Sequence, residues 1–340
     1  MKVLVTGGGG FLGQAICRQL VAKGHQVRTL NRHRYPALDA LGVEQAVGDV
    51  ATLDVVLEAA AGREAIVHTA AKAGAWGPLA EYYDANVRGT DHVLAACEMH
   101  GIDRLVHTSS PSIVHDGHDL DGVDERTPYG RHFSAPYPQT KVIAERRVLA
   151  ANSPKLATVA LRPHLIWGPG DPHLLPRLVE RAQKGRLRHI GSVSKKIDTV
   201  YVENAAEAHV LALEKLGPGA PIAGKAYFIT QGEPIAVDAM VNALLKAAGL
   251  PPETRRLPLD LARPLGAIME SLWRLVGAKH EPPLTRFLVE QLSTAHWFDI
   301  SAARRDLGYA PRVSTSEGLV RLSQHLARER LEQRRAAPGG

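Results

Sequence analysis

Tyr137 and Lys141 stand four residues apart in the run Tyr137-Pro138-Gln139-Thr140-Lys141, a spacing that places both side chains on one side of a helix. A phenol with an ordinary pKa of about 10 exchanges protons poorly at neutral pH, and an ammonium beside it stabilises the phenolate and draws that value down. Such a pair can protonate a carbonyl oxygen or deprotonate a carbinol. It follows a serine-rich segment, Thr108-Ser109-Ser110, and both lie far downstream of a glycine run from Gly7 to Gly13. In that order the three features describe a nucleotide-dependent oxidoreductase acting on a carbonyl or carbinol group.

The glycine run says how the nucleotide is held. Lys2-Val3-Leu4-Val5-Thr6 reads as a strand that enters Gly7-Gly8-Gly9-Gly10-Phe11-Leu12-Gly13, and an apolar-periodic helix follows through Ile16, Leu20 and Val21. Strand, glycine turn and helix in succession set free backbone N–H groups and a helix N-terminus against a pyrophosphate. Gly7, Gly10 and Gly13 fit G-x-x-G-x-x-G, whereas Gly8, Gly10 and Gly13 fit G-x-G-x-x-G; the Tyr-x-x-x-Lys step favours the first spacing. The second strand, His25 to Leu30, decides the cofactor. A site for NAD(H) would close it with Asp or Glu on the ribose 2′-hydroxyl, but this chain continues Asn31-Arg32-His33-Arg34. With no carboxylate to repel a 2′-phosphate, and with the guanidinium fork of Arg32 to receive one, NADPH/NADP+ is expected.

The remaining sequence must position those groups. Strands near Glu44 to Val47, Ala65 to His68, Arg104 to Thr108 and Leu156 to Leu161 alternate with helices near Leu53 to Ala60, Leu79 to His100 and Pro138 to Ala151. This is the pattern of an α/β, Rossmann-type doubly wound parallel sheet. Asp49 and Val50 close the third strand, where a carboxylate can accept from the adenine amino group. Thr69, Ala70 and Ala71 close the fourth, where small residues admit the cofactor. Past Arg162-Pro163 prolines and glycines accumulate, which predicts an NADP(H)-binding domain over 1–165 to which some later segments return, a smaller substrate-binding lobe over 166–326, and a basic tail over 327–340. The 340 residues, 45% hydrophobic, suffice for both. The formal charge of +6 is scattered apart from Arg328 to Arg335 and fits anionic small molecules rather than nucleic acid. Cys17 and Cys97 lack metal-like spacing and suit a reducing cytoplasm, and no metal site, signal peptide or membrane-spanning run is expected.

The chain resembles the extended short-chain dehydrogenase/reductases, in the branch that contains 3β-hydroxysteroid dehydrogenase/isomerases and sterol-4-carboxylate dehydrogenases. The resemblance runs through Thr6 to Gly13, Gly48-Asp49-Val50, Ala70 to Gly77, Asn86-Val87-Arg88-Gly89-Thr90, Thr108 to Ser110, Ala135 to Lys141, Leu161-Arg162-Pro163 through Asp171, and Phe298-Asp299-Ile300-Ser301 with Asp306 to Tyr309. Lys72 to Gly77 and His164-Leu165-Ile166-Trp167 are further similar to the bacterial 2-alkyl-3-oxoalkanoate reductases of long-chain olefin biosynthesis. The resemblance implies that Tyr137 is the general acid, that Lys141 lowers its pKa and bonds the nicotinamide ribose, and that Ser110 donates to the substrate oxygen. Ser109 and Ser112 are rivals because Pro111 replaces the family's usual small residue. Asn86 would help relay protons through water, and Pro163 would lie against the cofactor. A homodimer through the helices near 79–100 and 138–151 is also implied.

The leading activity is therefore reduction of a 3-keto group, with a hydroxysteroid or sterol dehydrogenase, a nucleotide-sugar epimerase and a non-catalytic NADP-sensing regulator as rivals. A β-keto acid carries a carboxylate that needs donors or a cation, and Lys72 and His164 are the candidates. Trp76, Ser112, Trp167 and Trp273 are expected to line a long pocket for a hydrophobic small molecule. An apolar stripe at helical spacing from Leu261, with Leu265, Ile268, Met269, Leu272, Leu275 and Val276, reads as core, as a lid over an aliphatic tail, or as an interfacial helix. The last leaves room for peripheral membrane or pathway-enzyme association.

Overall fold

The computed structural model describes residues 1–278 and 280–336. Seven parallel strands form the central sheet: β1 (Lys2–Thr6), β2 (Gln26–Asn31), β3 (Glu44–Val47), β4 (Ala65–His68), β5 (Arg104–Thr108), β6 (Ala157–Pro163) and β7 (Lys225–Ile229), in the order β3-β2-β1-β4-β5-β6-β7. Strands buried on both faces read as continuous apolar runs, and Val3, Leu4 and Val5 of β1 and Ala65, Ile66 and Val67 of β4 are fully buried. The order reverses between β1 and β4, and the C-terminal edge of the sheet at such a switch point is where these sheets bind nucleotides.

Two helices carry the sequence signals of the first half. α1 (Phe11–Ala22) buries Leu12, Ile16 and Leu20 at a spacing of four and ends before Gly24, which takes a left-handed φ of 80°. The segment read as one helix from Leu79 to His100 is continuous but changes pitch: Leu79–Tyr83 is α-helical, Asp84–Arg88 forms a π turn, and α2 (Gly89–His100) resumes. The cause is local. A side chain on Gly89 would meet Val50 at 2.8 Å, and the Asn86 amide brackets Lys72, accepting from its N–H at 2.7 Å and donating to its carbonyl at 3.0 Å. A π turn absorbs such a fixed contact without breaking the helix. α3 (Pro136–Ala150) has Pro at its first turn, where the missing N–H costs nothing.

The later part of the chain adds α4 (Leu174–Gln183), α5 (Val202–Lys215), α6 (Val237–Ala247), α7 (Leu259–Leu275), α8 (Arg286–Ser293) and α9 (Thr315–Ala336), and all but α5 gather in the smaller lobe. α5 packs back on α1 and β7 extends the main sheet, so both belong physically to the nucleotide half. The lobe's own core joins Leu175, Leu178, Met240, Leu244 and Leu322 to Trp167 and Tyr201. The segment read as a basic tail continues α9 to Ala336, and residues 337–340 of that reading lie outside the described ones.

The stripe on α7 faces outward, against the readings of core and lid. Leu261, Ile268, Leu272 and Leu275 are 59%, 56%, 50% and 83% exposed, while Ala262, Gly266 and Glu270 are buried. Packing explains the inversion. Gly266 admits the backbone of Thr285 to within 3.2 Å of where its Cβ would stand, and Glu270 accepts from the Arg286 N–H at 2.7 Å and its Nε at 2.9 Å. A close backbone contact and an ion pair thus turn the small and acidic face inward. Among the described residues no helix is long and apolar enough to cross a membrane.

Candidate active site

The glycine loop is built for an anion. Gly7 takes a φ of 70° and donates its N–H to Leu30, and its carbonyl accepts from Gly10 at 2.9 Å. A side chain on Gly13 would lie 2.2 Å from the Gly7 oxygen, and one on Gly7 would lie 2.8 Å from the Ala70 backbone. Gly8 is also crowded, since its side chain would lie 2.3 Å from Thr29 Cγ2, so Gly7, Gly8 and Gly13 all stand where a side chain would clash. α1 starts at Gly10 with no side-chain cap and no acidic residue in its first turn, which leaves its N–H groups and dipole to a phosphate. Two contacts were not legible beforehand: Asn31 accepts from the Gly9 N–H at 2.6 Å, and the Tyr35 ring lies where a Gly9 side chain would be.

At the adenosine end Asn31 is buried as this brace, and Arg32 is exposed beside it. Arg34, by contrast, is paired with Asp39 at 2.8 Å. Asp49 is exposed and caps the following turn through the Ala51 N–H, while Val50 is buried beneath Gly89.

Ser110, Ser112, Tyr137 and Lys141 line one cavity with Gly7, Gly10, Phe11, Leu12, Gly13, Thr69, Ala71, Pro163 and His164. Ser110 Oγ lies 2.9 Å from Ser112 Oγ and accepts from the Ser112 N–H at 3.2 Å, so Ser112 holds it in place. Ser109 also lines the cavity, but its Oγ is buried without a partner. Burial raises the Tyr137 phenol above its ordinary value, and the Ser110 hydroxyl opposes that shift. Burial likewise draws the Lys141 ammonium down to about 8, against the pull of Glu145. Lys141 Nζ donates to the Thr108 carbonyl at 2.6 Å and lies 3.2 Å from His107 Nε2. Asn86 is buried with its amide committed to Lys72 and Thr140, a bracing role in place of a free relay group.

The structure separates several of the other expected residues from this centre. The Lys72 ammonium pairs with Glu81 and does not line the cavity. Trp76 donates to the Ala278 carbonyl at 3.2 Å, and Trp167 donates to Thr199 at 3.0 Å inside the lobe core; neither reaches the cavity. His164 does line it, but burial holds its imidazole far below the usual range and its Nε2 is 3.1 Å from His296. Leu165, next to it, has a φ of 33°, a strained value for a branched side chain.

The cavity measures about 560 Å³ and runs from Tyr137 into walls of Leu174, Leu178, Met240, Leu244, Phe287 and Leu292. These come from α4, α6 and α8, which periodicity alone did not single out. The charged groups farther in are already engaged: Arg177 with Glu281 at 2.8 Å, and Asp171 with the N–H groups of residues 173–175 at 2.8 to 3.1 Å.

Comparison with known proteins gives the same outline. The profile of the 3-beta hydroxysteroid dehydrogenase/isomerase family matches residues 4–259. The 2-alkyl-3-oxoalkanoate reductase of Stenotrophomonas maltophilia is 57% identical over 324 residues, covering 95% of this chain and 98% of that protein. Its counterpart from Shewanella oneidensis is 46% identical, covering 95% of this chain and 85% of that one. Among solved structures, MoeE5 in complex with UDP-glucose and NAD superposes with a TM-score of 0.75 over 97% of this chain and 99% of that one, at 24% identity, which speaks for the fold.

Proposed function

The chain belongs to the 3-beta hydroxysteroid dehydrogenase/isomerase family of NAD(P)-dependent oxidoreductases, and from that premise we propose that it reduces the 3-keto group of a long-chain 2-alkyl-3-oxoalkanoate to the 3-hydroxy acid with NADPH. The observation that carries this reading is the cavity, which begins at Ser110, Tyr137 and Lys141 and continues between apolar walls. The 57% identity to a protein named for this reaction supports it.

With its pyrophosphate held by the glycine loop, NADPH would supply the hydride. Ser110 donates to the substrate carbonyl, and Tyr137 gives its proton to the same oxygen as negative charge develops there. Burial keeps the phenol protonated at neutral pH but makes it a weaker acid, so the ammonium beside it is needed to ease the transfer. Lys141 holds the ribose side of the site and stabilises the phenolate that the transfer leaves behind. The exposed Arg32 favours NADPH, since no carboxylate stands at the end of β2 to repel a 2′-phosphate. Apolar walls suit two alkyl chains, whereas a nucleotide-sugar diphosphate needs free cations, and Arg177 is already paired.

Purified protein given NADPH with a long-chain 2-alkyl-3-oxoalkanoate, its methyl ester, a 3-ketosteroid and a nucleotide sugar should oxidise NADPH fastest with the free keto acid. A preference for the steroid would transfer the assignment to the steroid branch, and turnover of the sugar nucleotide would move it to the epimerases.

A further inference from the structure

Behind Tyr137 and Lys141 lies a buried row of polar side chains that the reaction as described does not use. Thr6, His68 and His107 occupy laterally paired positions at the ends of β1, β4 and β5, each 0% or 1% exposed, and Lys141, 2% exposed, reaches the row from α3. The hydrogen bonds fix the proton positions. An ammonium has three donors and no lone pair, so His107 Nε2, 3.2 Å from Lys141 Nζ, accepts and carries its own proton on Nδ1. The Thr90 hydroxyl donates to the Asn86 carbonyl at 2.6 Å, so His68 Nε2 donates to Thr90 at 3.1 Å and His68 Nδ1 accepts from Thr6 at 2.7 Å. Both rings, 5.3 Å apart, are thereby neutral.

His107 Nδ1 is buried without a partner. Val or Phe would fill this strand position without that cost, since an unpaired buried donor is destabilising. The imidazole supplies one thing an apolar residue could not, which is a lone pair facing Lys141. We propose that His107 is the positioning residue of Lys141, its Nε2 lone pair keeping the ammonium charged and directed toward the nicotinamide ribose.

The surroundings give Lys141 no other side-chain acceptor. Glu145, one turn along α3, also favours the charged ammonium through space, but its carboxylate is held by Arg162 at 2.6 and 3.0 Å and by the Tyr129 hydroxyl at 2.9 Å. His209 of α5 is bonded to Thr108 Oγ1 at 2.9 Å, and Tyr137 is directed at Ser110. Besides His107, Lys141 Nζ has the Thr108 carbonyl as its acceptor. Burial holds His107 far below the usual imidazole range, with Lys141, His68 and His209 adding to the effect, so it stays an acceptor across the working pH range.

NADPH binding, followed by its fluorescence from pH 6 to 10, tests the proposal without any substrate. In the wild type affinity should fall above pH about 8, where Lys141 loses its proton. His107→Phe keeps a ring but removes the acceptor, and should move that midpoint down by about one pH unit while leaving tight binding at pH 6. His107→Gln restores an accepting oxygen and should return the midpoint toward the wild type, with melting temperatures recording any packing loss separately. A midpoint unchanged in His107→Phe, or displaced equally in His107→Gln, overturns the proposal. In the wild type itself, NMR titration should show the His107 ring signals moving with the Lys141 ε-carbon step, and flat ring signals would sink the idea even if a variant fails to fold. The inference rests on Lys141 meeting the ribose: coupled NMR steps with pH-independent NADPH binding would refute that contact and leave the Lys141–His107 pair standing.

Discussion

Around the ends of β4 and β5, His68, His107 and His209 are buried with only hydroxyls, backbone carbonyls and an ammonium for partners, whereas His189, a buried imidazole of the smaller lobe, has the Asp238 carboxylate 3.1 Å away. The same side chain meets no carboxylate in one region and stands against one in the other. The nucleotide half is held by bonds whose direction matters, among them the Gly7 to Gly10 turn, the Asn31 brace and the Ser110–Ser112 pair. The second lobe is held by apolar contact, with charge pairs such as Glu270–Arg286 and Arg177–Glu281 between its elements. In the first region one atom should be worth an activity; in the second, volume should matter more than atom type.

The largest effect should follow loss of one oxygen in the first region. Tyr137→Phe keeps the ring and should slow the chemical step by about a hundredfold or more while NADPH affinity changes little, as stopped-flow reduction and fluorescence titration would record. Near-normal turnover would remove the basis for the contrast. Next is Arg32→Asp, which should weaken NADPH by about ten- to a hundredfold relative to NADH, the worth of a charge-assisted bond of about 1.5–3 kcal/mol. If NADH is already the better cofactor in the wild type, the adenosine end has been misread.

Acid should break the first region before the second. Burial lowers His68 to about 3 and His209 to about 4. A folded-state imidazole pKa below the unfolded 6.5 gives stability that is complete above pH 6.5 and is lost as pH falls toward the folded value. By pH 5 each of these groups should cost roughly 2 kcal/mol. Melting temperature should therefore drop steeply between pH 6.5 and 5, and more shallowly in His209→Gln; a flat profile would contradict the neutral network.

Smaller effects probe the second lobe. Each methylene added to the substrate should contribute up to about 0.8 kcal/mol, roughly fourfold in kcat/KM, until the cavity is full, and Met240→Trp should bring the plateau to shorter chains. Smallest of all, Ile268→Ser and Leu272→Ser on α7 should leave chain-length dependence unaltered and change stability by about 0.5 kcal/mol or less, because that face points outward. A marked loss for long substrates in these variants would restore the lid reading.

Residues 1–163 determined most of their own structure in the sequence. The glycine spacing, the apolar strands, the Tyr137–Lys141 step and Asn31 in place of an acidic residue are local signals, because a parallel strand and a phosphate-binding turn impose residue types at fixed offsets. Cys17 and Cys97, whose spacing suggests no metal site, are free and buried. Tertiary structure alone decided the rest. Lys72 was a plausible cation until Glu81, nine positions on, claimed it, and Trp167 was a plausible pocket wall until Tyr201 and Thr199 enclosed it. The α7 stripe shows the physical reason most plainly: periodicity reports that a helix has two faces, but the partner decides which is covered, and here the contact at Gly266 and the Glu270–Arg286 pair outweighed the apolar one. His107 escaped the sequence reading for the same reason, since its meaning depends on a lysine 34 residues away on another element.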